Sequence, residues 1–299
     1  MKILKYPKEN QFTSISSYID ICSNIAKKFG KPVWYRGQGT HRTLIPGLYR
    51  HLTPVSDGRG NPVGKDFKSN SSGTSYKYLE FMPMLEVFKR HAIPFVQVRP
   101  TDDFEWMFIM QHYGLPTRLL DWSTDPLVAL YFACGGSNFH KTNLPEENGD
   151  DEAAEIWIIN PTSLNRESSG CDGIINLNES EWGDYINPEK ALFPICVNAS
   201  HIDARIIAQQ GVFTLHGKLI LPLNSYDSFH PHIFRLYVLK KHINNIKDNL
   251  FRLGYDHARM FPGIETLAQK IKEEELNKYV QWKSSQPTMK QLSKTDHIK

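Results

Sequence analysis

Residues 111 to 132 read Gln111-His112-Tyr113-Gly114-Leu115-Pro116-Thr117-Arg118-Leu119-Leu120-Asp121-Trp122-Ser123-Thr124-Asp125-Pro126-Leu127-Val128-Ala129-Leu130-Tyr131-Phe132. One helix ends inside this stretch and another begins. Gly114 and Pro116 stop a helix that starts near Thr101, with Asp102 and Asp103 favourably placed in its first turn. Thr124 or Asp125 can cap the next helix, and Pro126 suits its first position. Leu127, Leu130, Tyr131 and Cys134 form that helix's apolar stripe, which Gly135-Gly136 close. Between the helices, polar groups (Gln111, His112, Arg118, Asp121, Ser123, Thr124) alternate with turn residues and aromatics.

Upstream, residues 13–29 carry Ile15, Tyr18, Ile19, Cys22, Ile25, Ala26 and Phe29 at helical spacing, with Thr13 or Ser14 as cap and Gly30 and Pro32 as stop. Val33-Trp34-Tyr35 reads as a short buried strand running into Arg36-Gly37-Gln38-Gly39. Residues 54–75 are rich in Pro, Ser, Gly and Asn and read as a long loop, and a helix follows at about 83–91. Downstream, 137–153 is polar, and Glu155–Ile159 is a strand. Ser200–Gln210 reads as a helix capped by Ser200, with Asp203 three residues on and Gly211 past its end. Val212–His216 and Ile233–Leu239 read as strands. Helices are expected near 243–253 and from about 264 to 281. With no internal repeat and no clean linker, the expectation is one α+β domain over 1–283 and a polar tail over 284–299.

Composition sets the outer bounds. The chain has 299 residues, 40% apolar and 22% charged, which is ordinary for a globular fold with a substantial core. Lys plus Arg number 35 against 32 Asp plus Glu, a net +3, which argues against a wholesale nucleic-acid coat and leaves room for a local basic face. Cys22, Cys134, Cys171 and Cys196 are scattered, form no Cys-x-x-Cys pair and sit at no metal-ligand spacing, so no metal site is expected. Buried free thiols fit a reducing compartment. The first residues show no signal-peptide pattern and no apolar run reaches 18 residues, so a cytoplasmic chain without membrane contact is expected.

Arg36 is the first candidate for chemistry. A guanidinium at a strand end suits bidentate capture of phosphate or a ribose diol, and Gly37 lets backbone approach a ligand. Arg36 can equally pair with a structural carboxylate such as Asp121. Ser123 and Thr124, just before a helix N-terminus, can hold a phosphate or sugar, or simply cap the helix. Arg118 and Asp121 can form a buried pair. His112 is a possible general base or a satisfied core histidine. Lys89-Arg90-His91 and Lys240-Lys241-His242 can contact a phosphate backbone, although such short runs usually form solvated faces.

Three segments carry a family resemblance: Trp34-Tyr35-Arg36-Gly37-Gln38, Gln111 through Trp122, and Ala129-Leu130-Tyr131-Phe132-Ala133. With Arg205–Thr214, Leu250–Gly254 and Phe261–Ile264 they resemble the blocks of the FRG domain family, in the right order across roughly residues 30–270. A second, weaker resemblance is to ADP-ribosyltransferases of the arginine-serine-glutamate class. Arg36 matches their first element, and Ser123-Thr124 followed by Ala129 and Phe132 matches their second. Asp125 stands where that class has its last serine, and Gln209-Gln210-Gly211 stands where its glutamate is expected.

This second resemblance implies a split mixed sheet with surrounding helices and NAD bound as substrate. Arg36 would hold phosphates or the adenosine-side ribose, and Ser123 and Thr124 the nicotinamide ribose. Tyr35, Tyr113 or Trp122 would stack on a ring, with Gly37, Gln38, His112 and Arg118 lining the site. The implied catalytic set is Arg36, Asp121, Ser123, Gln209 and Gln210. Glutamine can hold a ribose hydroxyl but cannot offset positive charge, so a carboxylate from Asp121, Asp125, Glu80 or Glu265 is required, or an acceptor needing little base, or binding without turnover. Such chains look like toxin or phage-defence effectors. A nucleic-acid acceptor, RNA above all, is expected, together with a protein antitoxin over the cleft. The alternatives are a non-catalytic nucleotide- or NAD-binding module, and a nuclease using Asp121, His112 and a carboxylate partner.

Overall fold

The computed structural model describes residues 6–30, 32–40, 42–50, 53–54, 76–77, 79–96, 98–135, 153–200, 202–217 and 219–285. The loop expected over 54–75, apart from Pro54, and the polar stretches 137–152 and 286–299 lie outside them. In chain order the described elements are α1 (Ile15–Phe29), β1 (Trp34–Gln38), β2 (Thr53–Pro54), β3 (Tyr76–Lys77), α2 (Phe81–Ala92), α3 (Asp103–His112), β4 (Leu119–Ser123) and α4 (Pro126–Ala133). There follow β5 (Ala153–Ile159), α5 (Pro161–Ser169), β6 (Ile195–Val197), α6 (Ala204–Ala208), β7 (Gly211–Leu215), β8 (Ile233–Leu239), α7 (Lys240–Arg252), α8 (His257–Met260) and α9 (Ile264–Ser285). Short 3-10 turns join several of them.

Local chemistry sets the boundaries. Ser14 and Ser17 form a reciprocal capping box at the start of α1. Asp102 caps α3 through the Glu105 amide, and Asp125 caps α4 with Pro126 at its first position. The helix expected over Ser200–Gln210 is the five-residue α6, and its cap is Asp203, not Ser200. The Asp203 carboxylate accepts from the Arg205 amide at 2.8 Å, so the helix cannot start earlier. α9 buries none of its residues. No helix among the described residues is long and apolar enough to cross a membrane.

The architecture is α+β. Six strands form one sheet in the order β6-β7-β4-β1-β5-β8, and each of these pairings is antiparallel. The expected mixed ladder is therefore corrected to an antiparallel one. Register is full on both sides of the centre: Trp34–Gln38 pair with Ile159–Glu155, and Leu119–Ser123 pair with Leu215–Gly211. At the centre, β1 and β4 share a single registered pair, Tyr35 with Ser123.

Strand alternation then divides the core. Tyr35, Ile156, Ile158, Leu236 and Val238 pack under α1, α4 and α7. Leu119, Ile195, Phe213 and Leu215 lie on the same face but pack with α2 and α3 as a separate cluster. The opposite face is continuous across the centre: Trp34, Leu120, Trp122, Trp157, Ile159 and Val212 share one cluster. Asp121 and Ser123 therefore fall on the divided face, where the two clusters part.

Candidate functional site

The site grows out of that central seam. Past Tyr35 and Ser123 the two strands separate, and the carbonyl of Asp121 loses the ladder partner it would have on β1. Arg36 Nη1 donates to it at 2.6 Å and lies 3.6 Å from the Asp121 carboxylate. The guanidinium thus supplies the donor that an unbroken sheet would have supplied. Burial lowers the Arg36 pKa to about 10, against the pull of Asp121, so it stays charged at neutral pH. Its Nε is buried and has no hydrogen-bond partner. Beside it, a Cβ on Gly37 would stand 1.8 Å from the Ala129 carbonyl oxygen. Gly37 is needed for the close approach of α4 to β1, not for a ligand.

Next to the seam, on the divided face, is a cleft of roughly 80 Å³ lined by Gln111, His112, Asp121, Arg205, Gln209 and Phe213, among others. It is small beside the 300–1,000 Å³ common for whole-ligand pockets, so it suits one reacting end of a ligand. The Asp121 side chain is 56% exposed. Gln111 Nε2 donates to both of its carboxylate oxygens at 2.9 Å. The Thr117 hydroxyl donates to Gln111 Oε1 at 2.5 Å and accepts from the Leu119 amide at 3.0 Å, which fixes which way the Gln111 amide faces. A wider depression of about 410 Å³ lies by Lys89, Arg90, Arg99 and Trp106. There Lys89 is matched by Glu86 and Asp103, and the residues of the quoted motifs are absent, so the smaller cleft is the candidate.

His112 stands on the cleft wall with Nδ1 3.3 Å from Asp203 Oδ1. Arg205 reaches back to donate to the His112 carbonyl at 3.1 Å and lies over the Phe261 ring. Burial pushes the His112 pKa down to about 4, opposed by Asp203 and Asp121 and assisted by Arg205. The imidazole is neutral at pH 7.

The other named residues divide sharply. Ser123 Oγ donates to the Gln209 carbonyl at 2.7 Å and accepts from the Asp125 amide at 3.0 Å. Thr124 donates to Gln210 Oε1 at 2.9 Å, and its amide donates to the Gln210 carbonyl. Gln209 Nε2 donates to the Met260 carbonyl. Gln210 has φ +46°, a left-handed conformation that costs a non-glycine residue about 1–2 kcal/mol. The structure therefore brings Arg36, Asp121, Ser123, Thr124, Gln209 and Gln210 together. Tyr113 is exposed, with its ring meeting His112 edge-on. Tyr35 is corrected to a core side chain, while Trp122 is buried with its Nε1 donating to the Thr214 hydroxyl and also borders the cleft. Gln38 donates to the Arg42 carbonyl and is buried.

Arg118 is likewise corrected. It is fully buried, and it donates to the carbonyls of His216, Tyr185 and Ile186 at 2.6–2.9 Å. It ties the end of β4 to a distant turn and offers a ligand nothing. Beside it His216 is fully buried, shares a 3.2 Å hydrogen bond with Thr214, and has an Nδ1 with no partner. Burial, with Arg118 and Arg36 adding to it, pushes its pKa down to about 3.

Among the alternative carboxylates, Asp125 caps α4 and accepts from the Tyr255 hydroxyl, so it is committed to the fold. Sequence reasoning passed over Asp203 and Arg205 as site residues. The available signal was Asp203-Ala204-Arg205 just before the Gln209-Gln210 block. Among the described residues, no group of three His, Cys, Asp or Glu side chains is placed to hold a metal ion.

Comparison with known proteins gives a family for part of the chain. The chain is 24% identical over 193 residues to tryptophan dimethylallyltransferase 1 of Claviceps purpurea, including its strain 20.1. That alignment covers 62% of this chain but only 40% of the relatives' length. No solved structure matches. The model of the FRG domain matches residues 31–142, which include Arg36 and the whole of the 111–132 block, and this chain carries an FRG domain.

Proposed function

We propose that this chain is an NAD-dependent ADP-ribosyltransferase, an effector of the toxin or phage-defence kind, whose acceptor is nucleic acid, RNA above all. One observation carries the reading. Its three motif segments, far apart in sequence, meet at one seam: Tyr35 pairs with Ser123, Arg36 holds the Asp121 carbonyl, and Ser123 holds the Gln209 carbonyl. A sheet of two three-stranded halves joined by a single registered pair is what a split ADP-ribosyltransferase-like sheet would look like from this topology. The likeness to the dimethylallyltransferases adds no support.

In this reading the Nε of Arg36 turns to a phosphate or ribose oxygen of NAD. Asp121, held by Gln111, supplies the negative charge that Gln209 lacks as the nicotinamide–ribose bond opens. The test is incubation with labelled NAD plus total RNA, single-stranded DNA or lysate. Label on a macromolecule, reduced at least 100-fold by Arg36→Ala and by Asp121→Asn in folded protein, is the expected result. No label and no free nicotinamide from the wild type would sink it. A toxic effector should also halt growth when expressed without an antitoxin over the cleft.

A second reading has its own support. The Ser123 hydroxyl is already satisfied by Gln209 and Asp125, and no glutamate lines the cleft. A module that binds NAD or a nucleotide without turnover would show ligand-induced thermal stabilisation and no nicotinamide release.

A further inference from the structure

We propose that His112 is the general base of this site, with Asp203 as its positioning residue, and that the acceptor atom it serves is a hydroxyl oxygen. The proposal rests on the transferase reading and supplies the proton acceptor that the Gln209 position cannot.

The geometry is that of a carboxylate–imidazole pair at the edge of a cleft. Asp203 Oδ1 stands 3.3 Å from His112 Nδ1. The carboxylate cannot swing away, because the same oxygen caps α6 by accepting from the Arg205 amide. The ring's backbone is held from the other side, where Arg205 donates to the His112 carbonyl. A neutral ring protonated at Nδ1, the nitrogen that faces Asp203 at 3.3 Å, leaves Nε2 as the proton acceptor, and among the described residues no hydrogen bond engages Nε2. The groups facing the ring are Asp203 and Arg205 from the α6 segment, Asp121 from β4, and Tyr113, whose ring meets it edge-on. The pair is thus a base with a free lone pair, set beside the carboxylate assigned to the reacting ribose.

The step balances without a further reagent. The acceptor oxygen bonds to C1′ of the nicotinamide ribose as the C1′–N bond breaks. The bonding pair leaves with nicotinamide, which departs neutral because its nitrogen carried the positive charge. The hydroxyl proton passes to His112 Nε2, and Asp203 faces the imidazolium that forms. A phosphate oxygen or a ring nitrogen with a free lone pair would need no such base. The pair therefore fits an acceptor that must lose a proton as it attacks, and of these the proposal commits to a hydroxyl: an RNA ribose hydroxyl, or water.

The experiment uses the full chain, labelled NAD and a short single-stranded RNA, beside the same RNA with its 2′ hydroxyls methylated and its 3′ hydroxyl removed. Wild type should label the first RNA and not the second. His112→Gln should cut labelling about 100-fold or more, with the melting temperature and NAD affinity retained. Asp203→Asn, which keeps the helix cap, should cut it less and change the pH profile of the rate. If water is the acceptor, free ADP-ribose accumulates instead of labelled RNA, with the same dependence on His112. Equal labelling of the blocked RNA, or wild-type rates from the folded His112→Gln protein, would overturn the assignment while leaving the transferase reading intact. Wild type that binds NAD but releases no nicotinamide would overturn both.

Discussion

Two histidine–arginine clusters lie on either side of β4 and β7, and they have opposite characters. At one end, His216 and Arg118 are closed in completely and spend themselves on backbone carbonyls and Thr214. At the other, His112 and Arg205 frame a cleft, with Asp203 and an exposed Asp121 beside them. Both histidines are held neutral by burial. The difference is carboxylate supply and access. The closed cluster has an imidazole beside cations only, while the open one has an imidazole between two carboxylates and a guanidinium. The first pattern ties strand ends together, and the second is the one on which the proposed base rests.

Replacing Arg118 with Met should break the closed cluster most severely. Three carbonyls lose their donor inside the core, and the expected cost is about 3–5 kcal/mol, read as a lower denaturant midpoint. Acid comes next. Folded-state values of about 3 for His216 and about 4 for His112 lie below the ordinary 6.5, so the unfolded chain takes up protons first as pH falls. Stability should be level with respect to these groups above about pH 6.5 and then decline. Each histidine contributes up to about 1.4 kcal/mol per pH unit, until about pH 4 for His112 and pH 3 for His216. Urea melts of His112→Gln and His216→Gln across pH 3–8 separate the shares. A slope unchanged in both variants would mean that neither histidine is held neutral.

The smaller effects sharpen the contrast. His112→Gln should move stability at pH 7 by less than about 1 kcal/mol, because the Arg205 bond is to backbone. Asp203→Asn should cost only a few tenths, since asparagine caps a helix as well as aspartate. If either variant unfolds the protein, the open cluster is structural after all.

How much of this was legible in the sequence depends on distance along the chain. Helix ends declared themselves locally: Ser14 and Asp125 sit where the caps are and Pro126 at the first helical position, while Asp102, expected in the first turn, is the cap itself. The strand over Ile233–Leu239 was readable from its own residues. β6 and α5 were not, because three residues and a polar nine-residue helix carry too little periodicity. For the site, Arg36, Asp121 and Ser123 could be named from local motif chemistry. Arg118 could not be told from Arg36, because what buries it is a turn at 185–186. Asp203 could not be told from any helix cap until α6 was seen against His112.

The interleaving of the strands also governs how the protein comes into being. Trp34 waits for Ile159, and Leu119 waits for Leu215, so no central ladder can close between neighbours in the chain. Folding must bring distant segments together, which slows it, and a hairpin-first route is closed to the centre of the sheet. During synthesis Arg36 and Asp121 exist long before Gln209 and β7 have been made. A nascent chain therefore carries the seam's polar residues without the strand that completes the cleft.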